Sequence, residues 1–455
     1  MNTSQYWFST ASGADLGDEI AQSLRFDSNG YLYRNQISPN LSGNRTFTFS
    51  TWFKHGDMNE TQIFGIHPTS GNDNWLLGYT TSNQGFAGRD GSQGYVNYNT
   101  VRKYRDPNAW YHLFLTCSSG VLTLYVNGEQ GNQTMTQNHS MDRGFYIGSE
   151  GGGGTAMDGY LAETYFIQGT VLHPVNDGFI RLNENGVYVP DTPTISSYGT
   201  NGFFMLKNDN SVNDQSGNSN NFTSAGTITK SEDSPSNVYA TFNSLHNHFE
   251  QGSYAYGNNQ FTSGGSNRYT HNNSTLGMTK GKFYAEFKWV SPSSRDVLVG
   301  ITDRYTTDQT HELGHRMEDK GYRFNGDLRY NNGNVSSWGA SYGTGDVVMV
   351  ALDLDNNCVY FGVNGTWSNS GDPTSGASKT GGQAISGVAS AHDGCYYFAA
   401  SVYDDNSAVW QANFGNGYFG TTAVSSAGTN ASNIGIFEYD VPTGYTALST
   451  KGLNE

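Results

Sequence analysis

The sequence predicts an all-β protein arranged as two tandem antiparallel β-sandwiches. Charged residues make up only 14% of the chain, whereas 58 Gly, 30 Tyr and 25 Phe supply turns and aromatic strand positions. Hardly any stretch shows the sustained period of roughly 3.6 residues that is typical of an amphipathic helix. At 455 residues the chain is longer than one hydrophobic core supports, so we expect two or three domains.

Two similar hairpin patterns lie far apart in the chain. Residues 109–130 have the sequence AWYHLFLTCSSGVLTLYVNGEQ, and residues 345–367 have the sequence GDVVMVALDLDNNCVYFGVNGTW. In both, apolar residues alternate along two runs, which predicts strands with one buried face. Both contain V-N-G near their end, and an Asn-Gly pair accepts the positive φ angles of a tight hairpin turn. We expect one hairpin in each sandwich, with the likeness arising from shared hairpin physics rather than from an internal repeat.

The charge balance disfavours two classes of partner. With a net charge of −16 and only 24 Lys plus Arg, the chain lacks the basic surface that nucleic-acid binding requires. No apolar run approaches the roughly 18 residues needed to cross a membrane, so we expect no membrane insertion. The amino terminus also lacks the basic and apolar regions of a signal peptide.

The cysteine pattern bears on the compartment in which the chain is made. Cys117, Cys358 and Cys395 are odd in number and widely spaced. This pattern favours buried free thiols over a disulfide framework. We therefore expect synthesis in a reducing cytoplasm.

The first sandwich is expected over residues 23–190, after an N-terminal lead of residues 1–22 that could serve as a docking segment. The strand-like runs SLRF, FSTWFK, AWYH, LYVNG and GYLAE follow one another within it. In this order they resemble a laminin-G-like domain of the concanavalin A type, with Trp52, Trp110 and the V-N-G turn at 126–128 carrying the match. Such sandwiches include lectins and glucanases, and they can hold a structural calcium ion through Asp and Asn oxygens. Spacing assigns no ligands to such an ion.

Residues 191–279 are rich in Gly, Asn and Ser and are expected to form a connector. Within them, residues 214–223 have the sequence DQSGNSNNFT, which matches the pattern D-x-S-G-N-x-N-N-[FW]-T. This motif resembles a connector in tail-fibre-like and virion proteins of marine bacteriophages, where it follows a sandwich of the same kind. The resemblance implies that the chain is a bacteriophage virion structural protein.

A second sandwich is expected over residues 280–415, followed by a C-terminal tail segment over residues 416–455. The runs GKFY, VGI, ALDLD, NG and NFG occur in this order. They resemble a SPRY domain, another antiparallel sandwich. The last segment contains PTGYTAL, which resembles the P-x-G-[FY]-x-A-L segment that follows SPRY modules in the same phage proteins. The resemblance implies a laminin-G-like sandwich followed by a SPRY-like one.

The segment 311–315, HELGH, matches the H-E-x-x-H pattern. On a helix, His311 and His315 would share a face and could hold zinc while Glu312 acted as a general base. The supporting context is missing, because Gly321 stands where a third histidine would follow and the motif lies between strand patterns. We therefore predict a surface loop at this point, with no bound metal and no cofactor.

Glycan cleavage is the enzymatic function that sandwiches of this type most readily suggest. Retaining hydrolysis requires two carboxyl groups roughly 5 Å apart. Glu163 and Glu286 each stand alone in their predicted strands, while Asp353 and Asp355 belong to a strand end and a turn. We therefore predict that the chain is not an enzyme.

Ligand binding through loops is the function that the residues favour. Sandwich lectins bind sugars through an aromatic face flanked by Asn, Asp or backbone donors, in shallow and hydrated sites. Side chains of these types mark the candidate ligand contacts, which are Asn72, Asp73, Trp75, Tyr330, Trp338 and Trp367. Trp75 and Trp338 are equally compatible with a core or interface role.

The sequence therefore predicts a non-catalytic bacteriophage virion protein of the tail-fibre type, which binds a host receptor through loops on β-sandwich scaffolds. The receptor would be a cell-surface glycan or protein. The protein would assemble in the host cytoplasm and stand on the particle exterior beside other virion proteins, as a homo-oligomer and, by analogy with fibres, a trimer. Two alternatives stay open: a capsid decoration, spike or tail component that mainly contacts proteins, and a glycan depolymerase.

Overall fold

Strands joined by tight turns account for both halves of the chain, which confirms the predicted all-β fold class with two tandem antiparallel sandwiches. The computed structural model describes residues 15, 17–35, 45–67, 74–90, 94–137, 144–149, 156–207, 211–245, 252–264, 268–291, 296–305, 310–403 and 408–454. Contacts divide these residues into an N-terminal unit, Asp15–Asn237, and a C-terminal unit that begins at Val238.

The N-terminal unit is built from two antiparallel sheets. Its described strands are β1 Ser23–Asp27, β2 Tyr31–Arg34, β3 Phe47–His55, β4 Thr61–His67, β5 Asn74–Thr80, β6 Gly85–Asp90, β7 Val96–Asn97, β8 Trp110–Ser118, β9 Val121–Val126, β10 Glu129–Thr136, β11 Gly144–Ile147, β12 Asp158–Gln168, β13 Ile180–Leu182, β14 Tyr188–Pro190, β15 Phe203–Met205, β16 Thr223–Ala225 and β17 Ile228–Ser231. An eight-stranded sheet has the order β10-β9-β8-β3-β12-β1-β17, with β15 beside β12. A seven-stranded sheet has the order β16-β2-β11-β4-β5-β6-β7, and β13 pairs with β14 alone.

An aromatic core fills the space between these two sheets. Phe49 from the eight-stranded sheet and Phe64 from the seven-stranded sheet stack with ring centroids 4.0 Å apart. Strands β3 and β12 are buried on both faces. A second apolar cluster on the outer face of the eight-stranded sheet explains this burial, because Phe114 and Tyr165 pack there against Phe179 and neighbouring residues of the following chain. The larger sheet is therefore the middle layer of three.

The stretch from residue 191 to 237, which the sequence suggests is part of a connector, supplies strands to both sheets. β15 pairs with β12, β16 with β2, and β17 with β1. A buried ion pair then holds the end of the stretch, with Lys54 Nζ 2.6 Å from Asp233 Oδ2. Trp110 Nε1 donates a hydrogen bond to the other oxygen of Asp233 at 2.8 Å. Lys54 is fully buried, so this carboxylate compensates a charge that water cannot reach.

The C-terminal unit also contains two large sheets. Its described strands are β18 Gly252–Ala255, β19 Gln260–Ser263, β20 Tyr269–Asn273, β21 Lys282–Trp289, β22 Val297–Thr302, β23 Lys320–Arg323, β24 Leu328–Tyr330, β25 Gly333–Val335, β26 Val347–Asp353, β27 Cys358–Val363, β28 Thr366–Trp367, β29 Gln383–Ala384, β30 Tyr397–Tyr403, β31 Val409–Asn413, β32 Tyr418–Phe419, β33 Thr422–Ala423 and β34 Thr446–Ala447. A nine-stranded sheet has the order β18-β19-β31-β21-β26-β27-β28, with β29 beside β27 and β34 beside β21. A six-stranded sheet has the order β20-β30-β22-β23-β24-β25, and β32 pairs with β33.

Helical structure in the described residues is limited to short 3-10 turns, at Ser368–Ser370, Gly376–Ser378, Val388–Ser390 and Gly452–Asn454. Across the same residues, no helix combines the length and the apolar character that crossing a bilayer demands. Residues 238–279, the remainder of the suggested connector, contribute β18 and β19 to one sheet and β20 to the other. Both parts of that stretch thus belong to folded units.

Both hairpins identified in the sequence are present, as β8–β9 and β26–β27. Each is followed by an Asn-Gly turn in the left-handed region. Asn127 and Gly128 have φ angles of 48° and 74°, and Asn364 and Gly365 have φ angles of 49° and 84°. Two consecutive positive φ angles define the turn type whose twist matches that of the flanking strands.

The three cysteines are buried free thiols, as the sequence suggests. Cys117 packs in the core between the sheets of the N-terminal unit, and Cys358 packs in an apolar cluster on the outer face of the nine-stranded sheet. Burial raises the pKa of Cys117 and of Cys395 to about 11, which keeps both as unreactive thiols at neutral pH.

The segment after residue 416 covers the outer face of the nine-stranded sheet. Tyr284 and Tyr360 from the sheet pack there against Phe437 and Tyr445 from the segment, and β34 adds to β21 in parallel. Buried Glu286 on β21 holds this segment against the sheet. Its carboxylate accepts hydrogen bonds from four donors: Glu438 N at 2.9 Å, Tyr439 N at 2.8 Å, Tyr284 Oη at 3.0 Å and Asn413 Nδ2 at 3.2 Å.

We expect Asp233→Ala to destabilise the N-terminal unit by about 3–5 kcal/mol, because the variant leaves Lys54 charged and buried without its partner. Chemical denaturation of the full chain measures this loss. Glu129→Ala is the control, since Glu129 pairs with Arg102 at the surface, where both side chains are about half exposed. That variant should lose less than about 1 kcal/mol. Equal losses in the two variants would contradict the anchoring role of Asp233.

We expect the stability of the C-terminal unit to decrease as the pH rises from about 4.5 to about 7. Burial raises the pKa of Glu286 to about 7 from its ordinary value of 4.5. Between these values the folded state keeps a proton that the unfolded chain has released, so rising pH favours unfolding. The full effect is on the order of 3 kcal/mol, and it is complete above the folded-state pKa.

Glu286→Gln isolates this contribution. The variant replaces the titrating carboxyl group with an amide of similar shape that carries no charge at any pH. Its free energy of unfolding should therefore decrease less across the same pH window than that of the wild type. Urea denaturation of both proteins at a series of pH values makes the comparison, and parallel curves would refute the assignment.

Candidate functional site

A polar groove opens at one edge of the seven-stranded sheet, where the short strand β16 extends β2. Its cavity volume is about 650 Å³. The residues that line it are Tyr33, Arg34, Asn35, Asn201, Ser219, Asn220, Asn221 and Thr223. They come from three separate stretches of the chain. The pairing of β16 with β2 brings two of them together, and a hydrogen bond from Arg34 to Asn201 joins the third.

Tyr33 lines the groove, and two further tyrosines continue from it along the outer face of the sheet. Leu32 on β2 points into the core, so the period of two places Tyr31 and Tyr33 on the outer face. Tyr146 is the register partner of Tyr33 on the neighbouring strand, and their ring centroids lie 6.4 Å apart with planes at 20°. The rings of Tyr31 and Tyr33 are 5.8 Å apart. Half-buried rings of this kind offer apolar faces beside polar hydroxyls.

Arg34 supplies the positive charge of the groove and is held in place from two sides. Its guanidinium lies 5.1 Å from the centre of the Phe145 ring. Its Nη2 donates to Asn201 Oδ1 at 2.8 Å, and Asn201 is itself 1% exposed. Burial lowers the pKa of Arg34 because desolvation penalises the cation, and the charge of Asp214 opposes this shift. The guanidinium remains protonated at any physiological pH.

The loop formed by residues 214–223 supplies another wall of the groove through Ser219, Asn220, Asn221 and Thr223. The Asp214 carboxylate accepts four hydrogen bonds, from Phe204 N, Ser216 N, Ser216 Oγ and Asn220 N, at 2.8–3.0 Å. Asn220 Nδ2 then donates to the carbonyls of Thr200 and Gly202 at 2.9 and 2.8 Å. The Asp, Ser and Asn residues of the motif thus satisfy backbone groups that no sheet pairs. They fix the shape of the wall.

The described residues of the groove lining supply hydrogen-bonding groups, one aromatic ring and one cation. The lining residues provide an aromatic ring, amides, hydroxyls and one guanidinium, and none of the eight is Asp, Glu, His or Cys. Amides donate and accept hydrogen bonds in the pattern that suits vicinal hydroxyl groups.

The carboxylates singled out in the sequence lie elsewhere. Glu163 on β12 is 3% exposed, accepts a hydrogen bond from Tyr165 Oη at 2.9 Å and lies 3.4 Å from Lys207 Nζ. Burial raises its pKa to about 7. Asp353 caps the turn after β26 by accepting from Asn356 N at 2.9 Å. Each of these carboxylates has partners within its own unit.

The segment 311–315 forms a turn rather than a helix. The rings of His311 and His315 stack with centroids 3.5 Å apart, while Glu312 forms an ion pair with Arg329. Among the described residues, no group of three or more His, Cys, Asp and Glu side chains is placed to hold a metal ion.

The other candidate residues are scattered. Asn72 and Asp73 lie outside the described residues. The backbone of Trp75 pairs with that of Gly65, and Gly65 pairs in turn with Tyr146. The register thus places position 75 in the same cross-strand row as the tyrosines of the groove.

The aromatic candidates of the C-terminal unit pack against other residues of that unit. Trp338 is 9% exposed, and its ring centroid lies 5.9 Å from that of Phe361 in the core. Tyr330 is half-buried, with Lys320 Nζ 5.7 Å from its ring centre. Trp367 is half-buried against the outer-face cluster. None of the three lines the groove of the N-terminal unit.

Sequence reasoning missed the residues that do line this groove. Tyr33 and Arg34 lie in a run, GYLYR, that shows only ordinary alternation. The motif at 214–223 was noticed for its resemblance alone. The one sequence signal that could have indicated the site is the high Asn content of that motif, because Asn side chains outside strands commonly form turns and caps.

Comparisons with known proteins bear on the class of the N-terminal sandwich. Residues 26–172 match the model of a family described as the concanavalin A-like lectin/glucanases superfamily. This match confirms the concanavalin A-type prediction for that stretch. No curated protein matches the chain.

Several solved structures are similar to parts of the chain. The SPRY domain of human HERC1 is 20% identical, covering 34% of this chain and 86% of that one, with a TM-score of 0.26. A human SPRY domain is 15% identical over 34% and 90% of the two chains, with a TM-score of 0.26. A Bacteroides ovatus protein described as carbohydrate binding is 19% identical over 46% and 59%, with a TM-score of 0.31. Similarity at this level does not extend to function.

We expect Asp214→Ala to loosen the wall of the groove, because four hydrogen-bond donors lose a charged acceptor. The loss of stability should be about 1–3 kcal/mol. Hydrogen exchange should accelerate at the amides of Phe204, Ser216 and Asn220. Asn213→Ala is the control for the same loop, since its side chain is exposed, and it should change stability by no more than about 0.5 kcal/mol. Unchanged exchange at those amides in Asp214→Ala would contradict this account.

Proposed function

We propose that the protein binds carbohydrate, without cleaving it, in the groove beside β2 and β16. The observation that carries the proposal is the combination of the half-buried Tyr33 ring, which stacks beside Tyr146, with a cluster of amides in one cavity of about 650 Å³. A pyranose ring has an apolar face that packs on an aromatic ring, while its hydroxyls bond to amides and water at the rim. The description of the family that matches residues 26–172 includes lectins, which supports carbohydrate binding.

A binding role without catalysis suits the residues of the groove. Retaining hydrolysis needs a pair of carboxyl groups roughly 5 Å apart, and inverting hydrolysis needs a pair set further apart. None of the described residues that line the groove carries a carboxyl group. Buried Glu163 is bonded to Tyr165 and paired with Lys207, away from the lining residues. A glycan depolymerase would therefore require a site that the groove does not supply.

We further propose that this binding serves a bacteriophage virion, as a tail-fibre-type protein that attaches to a host surface glycan. The support is the sequence resemblance of residues 214–223 and of the PTGYTAL segment to phage proteins. The first of these motifs also forms the wall of the groove. On this proposal the protein stands on the particle exterior, and it contacts other virion proteins as a homo-oligomer.

We expect Tyr33→Ala to reduce affinity for a bound glycan by roughly tenfold or more, since truncating an aromatic contact residue commonly costs more than about 1 kcal/mol. A glycan array screened with the full chain, followed by calorimetry on the best ligand, measures this. Tyr95→Ala is the matched control, because Tyr95 is 47% exposed and does not line the groove. Equal losses in both variants, or none, would reject the groove as the site.

The virion setting has its own test. Purified protein should adsorb to host cells, and extracted surface polysaccharide should compete with it. Labelling of intact particles should place the protein on the tail. Many copies spread over the capsid, with no adsorption to cells, would instead favour the decoration role.

A further inference from the structure

A lysine, an asparagine and an aspartate meet on the outer face of the eight-stranded sheet. Lys54 Nζ lies 2.6 Å from Asp233 Oδ2 and donates a hydrogen bond to Asn108 Oδ1 at 3.1 Å. Lys54 is 0% exposed and Asp233 is 3% exposed, so both ionisable groups are removed from water. The three side chains come from β3, from the turn that precedes β8 and from the segment that follows β17. Folding therefore brings an amine, an amide carbonyl and a carboxylate into mutual contact.

Aromatic rings flank the lysine amine. Tyr160, Lys54 and Trp110 are register partners on three adjacent strands. Lys54 Nζ lies 5.7 Å from the centre of the Tyr160 ring, and the rings of Trp110 and Tyr160 meet edge to face at 6.2 Å. Trp110 Nε1 also donates to Asp233 Oδ1 at 2.8 Å, which fixes the carboxylate beside the amine. Charges are costly in so apolar a setting, and transfer of one proton from the ammonium to the carboxylate removes both of them.

That proton transfer converts Lys54 into a nucleophile, because a neutral amine attacks carbonyl carbon and an ammonium group does not. The carbon within its reach is Cγ of Asn108, which is one carbonyl bond of about 1.23 Å from the oxygen that Nζ already contacts. The turn that carries this side chain is itself held in place, since Asn108 N donates to Asp106 Oδ1 at 2.9 Å. Two reacting groups held together in this way react as if at very high concentration.

We propose that Lys54 and Asn108 form an intramolecular isopeptide bond, with Asp233 as the catalytic proton carrier. Nζ of Lys54 forms a bond to Cγ of Asn108, and the bond from Cγ to Nδ2 breaks. Asp233 carries the two protons that Nζ gives up to Nδ2, which leaves with its electron pair as ammonium. Nothing is oxidised or reduced, and Asp233 is again a carboxylate at the end. The product joins β3 covalently to the turn before β8, whatever ligand the groove binds.

The mass of the purified full-length protein tests this proposal. After denaturation, the wild-type chain should be lighter than the mass of its sequence by one ammonia molecule. Trypsin does not cleave after an acylated lysine, so a tryptic digest should contain a branched peptide in which the segments around Lys54 and Asn108 are joined. Fragmentation of that peptide locates the bond. Recovery of Lys54 and Asn108 in separate, unmodified peptides would overturn the proposal.

Two variants assign the roles of the residues. Lys54→Arg keeps a cation beside Asp233, but a guanidinium stays protonated and does not attack, so this chain should keep its full mass. Loss of ammonia that persists in Lys54→Arg would indicate a succinimide at an asparagine and would overturn the isopeptide bond. Asp233→Asn keeps the shape without the proton carrier and should slow bond formation by about 100-fold or more. The branched peptide of the wild type remains decisive if a variant does not fold.

A second lysine–aspartate pair in the same chain is the matched control. Lys282 Nζ lies 3.0 Å from Asp353 Oδ2, but the Lys282 side chain is 22% exposed. Asn356 donates its Nδ2 to that carboxylate at 2.8 Å, whereas Asn108 presents its Oδ1 to the lysine. Lys282 should therefore be recovered in unmodified peptides from the same digest. A branched peptide at Lys282 would contradict the requirement for a buried amine that contacts an amide oxygen.

Discussion

Buried carboxylates hold a third layer onto each sandwich, and the rest of the architecture depends on that attachment. The larger sheet of each unit is apolar on both faces, so it requires cover on the side away from its partner sheet. In the N-terminal unit Asp233 ties the returning chain to Lys54 and Trp110. In the C-terminal unit Glu286 does so through the N–H groups of Glu438 and Tyr439. Each carboxylate accepts hydrogen bonds from buried donors, so release of the cover would cost both hydrophobic burial and hydrogen bonds.

The groove forms because of the path taken by the segment that covers the larger sheet. In the N-terminal unit the chain that covers the larger sheet passes on to pair with the edge of the smaller one, through β16 and β2. It thereby leaves Tyr31, Tyr33 and Tyr146 half-exposed on the outer face of the seven-stranded sheet. A wall fixed by its own hydrogen bonds then stands beside rings that belong to a sheet. Such a site is shaped before its ligand binds, which limits the entropy lost on binding.

Local pattern predicted the all-β class and both hairpins, because alternation and Asn-Gly turns are encoded within a few residues. It did not predict the third layers. Strands β3 and β12 are buried throughout, yet nothing in their sequences states which distant segment covers them. The groove was missed for the same reason, since Tyr33, Asn201 and Thr223 meet only through long-range pairing. Conversely, Trp338 was a candidate ligand contact because of its residue type, whereas tertiary packing places its ring against Phe361. The motif at 214–223 was noticed, but its part in shaping a wall depends on which carbonyls its side chains reach.

The parallel pairing of β34 with β21 has a consequence for synthesis on the ribosome. The N-terminal unit can complete its sheets once β17 has emerged, whereas β21 waits for Thr446–Ala447. At roughly 5–20 residues per second, the interval between these two events is about 10–40 s. Within it, from the time Tyr360 has emerged, Tyr284 and Tyr360 present an apolar sheet face to solvent until the covering segment arrives. This nascent intermediate is the species on which chaperones, or aggregation, would act.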